Sequence, residues 1–361
     1  MKCFLIGLAT LAASASAAEA RFDARPLDRP DGANAVATRI NAAGQVLGRY
    51  VFSAQPVPAQ SFLTGPDGVG FVDPCAVAGF VNCLVDDIDD QDDVLVEADF
   101  TDGQGQVSRR QVLMKQDGTG QVTPGTLGPR TTTYYGLSPH GLAVGQDGNG
   151  RAFATRQGLQ KLHEIATFGG NAGAATAVND SGVVGGSSLL PDNTNWHAFL
   201  ALPDGSPPRD LGTFRQPGDP HCGDCDQSYV GAINAAGLVV GSAATSAAYG
   251  GAYWVHAFLA RADAPGLVDL GTLGQRQGSQ ARGINRQGTI VGNSYNFSEG
   301  GSRPISRRVF IGRASDARIH DLNDDVAMPA GVVLGEYPVI NDRGLIAATG
   351  SDGKVYLLTP R

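Results

Sequence analysis

Tyr229-Val230-Gly231-Ala232-Ile233-Asn234-Ala235-Ala236-Gly237-Leu238-Val239-Val240-Gly241 is the stretch from which the rest of the chain can be read, because most other segments are worn copies of it. An apolar run ends at Ile233, a four-residue polar turn reverses it, and a second apolar run returns from Leu238. Further along stand His256-Ala257-Phe258-Leu259-Ala260 and Leu267-Val268-Asp269-Leu270-Gly271-Thr272-Leu273-Gly274. Short apolar runs bounded by turn residues read as strands.

Copies of the turn follow one another along the chain. They are Ile40-Asn41-Ala42-Ala43-Gly44, a degenerate Ile88-Asp89-Asp90-Gln91-Asp92, Leu137-Ser138-Pro139-His140-Gly141 and Val178-Asn179-Asp180-Ser181-Gly182. The Ile233 copy is fifth, followed by Ile284-Asn285-Arg286-Gln287-Gly288 and Ile340-Asn341-Asp342-Arg343-Gly344. Successive starts lie 48, 49, 41, 55, 51 and 56 residues apart, a spacing suited to four-stranded propeller blades. The substitutions obey turn chemistry: Asn, Asp or Ser leads because its side chain bonds its own backbone, Pro suits the second place, and Gly or Asp tolerates the positive φ of the last. The asparagines are therefore turn formers.

A second marker recurs downstream of each turn: Phe62, Val112, Phe153, Phe199, Phe258, Phe310 and Tyr356. These positions read as rings buried between blades. His197 and His256 precede two of them, and repetition of one residue in equivalent places signals a structural duty rather than a single catalytic centre. The third marker is Asp-Leu-Gly-Thr at residues 210–213 and 269–272, with weaker forms at 124–127, 166–168 and 320–322. The last copy lacks it, while Phe22-Asp23-Ala24-Arg25-Pro26-Leu27 precedes the first turn with no other place to go. The fold expected is all-β: a seven-bladed β-propeller of four-stranded antiparallel blades over residues 21–361, closed by the N-terminal strand joining the last blade, which removes exposed sheet edges.

Composition agrees. Of 361 residues, 42% are apolar and 17% charged, enough to fill a core, and 50 Gly with 20 Pro suit many tight turns. A net charge of −8 without a basic block argues against nucleic acid as a partner. Residues 1–20 read as an export signal, with Lys2, an apolar core from Phe4 to Leu11, and small residues for cleavage after Ala20. That run is too short to span a bilayer, and no later segment could do so. A secreted protein, extracellular or periplasmic and monomeric, is expected, with no organic cofactor and no metal. Cys75 with Cys83, and Cys222 with Cys225, read as two loop-stapling disulfides. The segment His221-Cys222-Gly223-Asp224-Cys225-Asp226 also matches half a metal site or a redox Cys-x-x-Cys, without the second half that zinc requires.

His-Ala-Phe-Leu-Ala followed by Asp-Leu-Gly-Thr-Leu-Gly and Ile-Asn-x-x-Gly-x-Val-Val-Gly resembles the HAF repeats of predicted extracellular bacterial proteins. The resemblance is strongest over residues 175–311. It implies a secreted repeat protein and carries no catalytic residues over to this chain.

Four-stranded blades fix where the connections point. The 1–2 and 3–4 turns share one face and are short, whereas the long insertions at residues 49–60, 75–83, 187–196, 242–255 and 293–307, with the Cys222 loop, share the other. That face carries Trp196, Tyr249, Tyr253, Trp254, Tyr295 and Phe297, aromatics of the kind that stack on sugars or anchor peptides. They are the candidate ligand-binding residues, for an extracellular glycan or protein. Asp86, Asp87, Asp89, Asp90, Asp92 and Asp93 offer hard oxygen ligands of the kind Ca²⁺ takes. They lack an Asp-x-Asp-x-Asp-Gly loop with its terminal Glu, so the run reads as a solvated acidic turn. No Gly-x-Ser-x-Gly, His-Glu-x-x-His, phosphate loop or dinucleotide fingerprint is present. A lyase or hydrolase with a carboxylate or His centre at the ring mouth stands as the alternative function, and a structural envelope component as a further one.

Overall fold

The computed structural model describes residues 20–27, 34–51, 60–122, 132–155, 161–215, 226–249, 252–298 and 304–361. The export signal before residue 20 and the pair Cys222 and Cys225 lie outside the described residues.

Every blade starts with an inner strand ending at a turn copy: Asn34–Ile40, Val81–Ile88, Thr133–Leu137, Gly173–Val178, Ser228–Ile233, Gly278–Ile284 and Leu334–Ile340. Each inner strand packs beside that of the next blade, and the last packs beside the first, so the sheets form a ring. Blades 1 and 3 to 7 have four antiparallel strands. Blade 7 is completed by Phe22–Pro26, which pairs antiparallel with Val355–Pro360 in the register Phe22 opposite Pro360 and Pro26 opposite Tyr356. The closure expected from the missing last strand is what the chain adopts.

Blade 2 departs from the pattern. Val81–Ile88, Asp93–Thr101 and Val107–Lys115 make three strands, with one bridge from Leu113 to Val122 in the fourth place. The strand expected at residues 124–127 lies outside the described residues. In blade 3 the fourth strand is Leu162–Glu164, a few residues before the weak Asp-Leu-Gly-Thr form at 166–168.

The turn chemistry holds in every copy. The lead side chain accepts the amide four residues on: Asn41 from Gln45, Asp89 from Asp93, Ser138 from Leu142, Asn179 from Val183, Asn234 from Leu238, Asn285 from Thr289 and Asn341 from Leu345, at 2.9 to 3.1 Å. The closing residue has positive φ throughout, including Asp92 at 62° where the other copies have Gly.

The ring positions are buried, from 0% exposure at Phe153, Phe199, Phe258 and Phe310 to 7% at Phe62. Phe258 lies across from Gly241, where a Cβ would sit 2.7 Å from the ring and 2.0 Å from the Tyr229 carbonyl oxygen. The same Phe opposite Gly occurs at Gly48, Gly145, Gly186 and Gly292. Where the large residue shrinks, the partner grows, as Val112 opposite Val96, while Tyr356 faces Ala348. The glycine ending Val-Val-Gly is thus required by the ring above it, since interiors are packed without spare volume.

His197 and His256 hold equivalent places in their blades. Each binds through Nδ1 the aspartate opposite its phenylalanine, Asp210 at 2.9 Å and Asp269 at 2.9 Å. Blade 3 places Arg151 and Glu164 in this relation at 2.5 Å, and blade 6 places Arg308 and Asp321 at 3.8 Å. The His of His-Ala-Phe and the Asp of Asp-Leu-Gly-Thr are two halves of one cross-strand link.

Candidate functional site

Concave regions lie on both faces of the ring. On the turn face, an axial pocket of ≈ 220 Å³ is lined by the turn copies and the ends of the inner strands. Its wall is a chain of amides. Asn179 Nδ2 donates to the Asn234 carbonyl at 2.9 Å, Asn234 to Asn285 at 2.9 Å, Asn285 to Asn341 at 3.3 Å, Asn341 to Asn41 at 2.8 Å and Asn41 to Asp89 at 3.1 Å. Five side chains thus tie each blade to the next. The chain breaks at blades 2 and 3, where a carboxylate and a short hydroxyl stand in place of the amide.

Asp89 shows the break. It is 2% exposed, and its Oδ1 keeps the turn bonds to Gln91 and Asp93 while Oδ2 is buried without a partner among the described residues. Burial pushes its carboxyl up to about 6, against two backbone amides that favour the charged form. The surrounding charges are Asp93, which raises it further, and Lys115, which lowers it.

Asp90 and Asp92 are exposed in the turn, as a solvated acidic turn requires, but the rest of the run is not. Strand alternation splits it: Asp86 takes Arg49 at 2.9 Å and Gln111 at 2.9 Å, Asp87 takes Arg39 at 2.6 Å and the Leu137 amide at 2.7 Å, and Asp93 takes Lys115 at 2.9 Å. Asp87 is 1% exposed. Asp86 and Asp87 lie near the end of one strand and Asp93 starts the next, and side chains alternate between the two faces of a strand, so these carboxylates diverge. Among the described residues, no group of three or more His, Cys, Asp or Glu is placed to hold a metal ion.

The pocket mouth carries second-place turn residues. Asp90 accepts from the Ala42 amide at 2.6 Å, Asp180 from the His140 amide at 3.0 Å, and Asp342 from the Arg286 amide at 2.7 Å. His140 Nδ1 also lies 2.7 Å from Asp180. Each carboxylate here links one blade to its neighbour.

The opposite face is shaped by unequal hairpins. In blade 5, Leu238–Tyr249 and Ala252–Arg261 remain paired as far as Tyr249 with Ala252, and in blade 6 Thr289–Phe297 and Pro304–Arg313 as far as Phe297 with Pro304. These insertions, expected to be loops, are strand extensions. Blade 7 turns within residues 350–355, with the Gly353 amide bonded to the Gly350 carbonyl at 2.9 Å. A groove of ≈ 750 Å³ lies over that short turn, bounded by Arg276 in the connection from blade 5 to blade 6, by Arg307 and Arg308 of blade 6 and by the start of the blade 1 inner strand.

The expected aromatic residues do not form one platform. Trp196 and Trp254 are half-buried at or near the start of third strands in blades 4 and 5. Tyr295 is 4% exposed, packs over Gly278, and meets Phe297 edge-on at 5.4 Å. The backbones of Tyr249 and Tyr253 lie in the blade 5 hairpin, and their side chains are outside the described residues. Cys75 and Cys83 are disulfide-bonded with Cα atoms 5.7 Å apart, closing the connection from blade 1 to blade 2. No helix among the described residues is long and apolar enough to cross a membrane.

No protein-family model matches the chain, and no curated protein matches it. Solved structures similar to it include YCF48 bound to D1 peptide, at 8% identity over 94% of this chain and 96% of that one, with TM-score 0.49. The β-propeller domain of the Trilobed protease from Pyrococcus furiosus is similar at 9% identity over 78% and 84%, with TM-score 0.45.

Proposed function

We propose that the chain is an exported HAF-type repeat protein that works as a binding module, taking an extracellular glycan or protein on the long-hairpin face. The observation that carries this reading is the asymmetry of the two faces. On one, the turn side chains bond the neighbouring blades. On the other, the hairpins of blades 5 and 6 are lengthened and the blade 6 hairpin borders a groove over blade 7, and binding residues concentrate on such connections over a rigid scaffold. The Cys75 to Cys83 disulfide supports an oxidising compartment outside the cytoplasm, as does the leader-like start. Arraying the protein over glycans and envelope extracts tests the role. Specific retention that is lost in Trp254→Ala or Trp196→Ala supports it; no retention on any surface contradicts it.

One observation favours a second reading, a lyase or hydrolase at the ring mouth: His140 and Asp180 pair at 2.7 Å beside the axial pocket. Polysaccharide or ester turnover that disappears in His140→Ala would decide for it.

A further inference from the structure

The groove over blade 7 has a chemistry of its own. Arg307 is neutralised by Glu336 at 2.9 Å. Arg308 reaches its nearest carboxylate, Asp321, only at 3.8 Å, and Arg276 has no carboxylate partner among the described residues, donating instead to the Ser306 carbonyl. Both side chains are half-buried where they meet the groove. A guanidinium presents a planar fork that matches a carboxylate with two parallel hydrogen bonds. Burial and the like charge of Arg308 hold Arg276 below its ordinary value, with Asp321 pulling the other way.

The backbone lining the groove is already engaged. The Ala35 amide bonds Gly353 at 3.0 Å, the Ser351 amide bonds Val333 at 2.8 Å, and the Gly335 carbonyl accepts from Asn293 at 2.7 Å. Among the described residues, an extended peptide finds no run of open main-chain donors and acceptors there to add a strand against. The remaining lining includes Asp352, whose carboxylate accepts from the Tyr356 hydroxyl at 2.9 Å. The small side chains of Asn34, Ser306, Thr349 and Ser351 there suit sugar hydroxyls, beside the apolar Val36 and Val333, with the exposed Ile305 and Val51 at the rim.

Resting on the long-hairpin face as the binding face, we infer that this groove takes an acidic polysaccharide, with uronate carboxylates held by Arg276 and Arg308. The test is calorimetric titration with oligogalacturonate, beside a neutral malto-oligosaccharide of the same length and poly-L-glutamate. Oligogalacturonate should bind and the neutral chain should not. The affinity should fall as salt is added, and by at least tenfold in Arg276→Gln/Arg308→Gln, while Arg313→Gln on the turn face leaves it unchanged. Ile305→Asp places a carboxylate at an exposed rim position without touching the core, and should weaken binding if the double variant folds poorly. Absence of oligogalacturonate binding, binding unmoved by these changes, or equal binding of poly-L-glutamate overturns the assignment. Retention of a neutral glycan or a protein through Trp254 would then leave the binding face standing while this groove falls.

Discussion

The two faces of the ring handle their polar groups in opposite ways. On the turn face, the Asn side chains are buried and bonded across blades, with Asn234 at 5% and Asn341 at 6% exposure. On the hairpin face, Arg276 has no carboxylate partner among the described residues and Arg308 meets Asp321 only at 3.8 Å. A buried donor that loses its partner costs about 1 to 3 kcal/mol, so the turn face tolerates little change, whereas the other face can vary without unfolding the ring. Within the turn face the contrast repeats between Asn234 of blade 5 and Asp89 of blade 2. The two hold the same turn bonds, and only one can donate onward.

The largest effect should come from the sheet that joins the faces. Phe258→Ala removes a ring with 0% exposure packed over Gly241 and should cost about 3 to 5 kcal/mol in urea unfolding, with ligand retention falling as well. Next, Asn234→Asp copies blade 2 into blade 5. It deletes the donor to Asn285 and buries a carboxylate, so about 2 to 4 kcal/mol should be lost at pH 7, with the retained fraction of folded protein still binding.

The reverse change, Asp89→Asn, should stabilise. The Asp89 carboxyl, raised to about 6 in the fold, keeps its proton where the unfolded chain has released it. Its favourable contribution is therefore complete below about pH 4 and lost as the pH rises through about 6. Urea unfolding of wild type and variant across pH 4 to 8 should show a gap in favour of the variant that opens over this window to about 1 to 3 kcal/mol. A gap that does not change with pH would show that Asp89 stays ionised. The smallest stability effect belongs to the hairpin face, where Trp254→Ala should shift stability by about 1 kcal/mol or less while abolishing retention on the array.

The fold was legible where the determining chemistry is local. Asn-x-x-Gly is a turn in its own right, so Asn41 and Asn341 could be placed without knowing what lies beside them. The closing strand was legible too, because the last copy lacked a strand and Phe22 to Leu27 had no other place. What escaped were contacts between copies. Nothing near Asn234 says that its Nδ2 reaches Asn285, and nothing near Gly241 says that the Phe258 ring lies above it. The acidic run misled because clustering in sequence is not clustering in space once a strand alternates its side chains. Tyr295 misled similarly: an aromatic in an insertion reads as exposed until the insertion pairs as strand and turns the ring onto Gly278. Bonded spacing such as His197 with Asp210 and His256 with Asp269, 13 residues apart in both blades, was a signal available in the sequence for one of these contacts.

The amide chain around the turn face is most directly tested by native-state hydrogen exchange at the amides of Gln45, Val183, Leu238, Thr289 and Leu345, each bonded to a turn asparagine. All five should exchange only through global unfolding, with one shared free energy, far slower than the Gln104 amide in the exposed turn led by Asp102. Independent opening of these turns, at rates like that of Gln104, would contradict a face stitched from blade to blade.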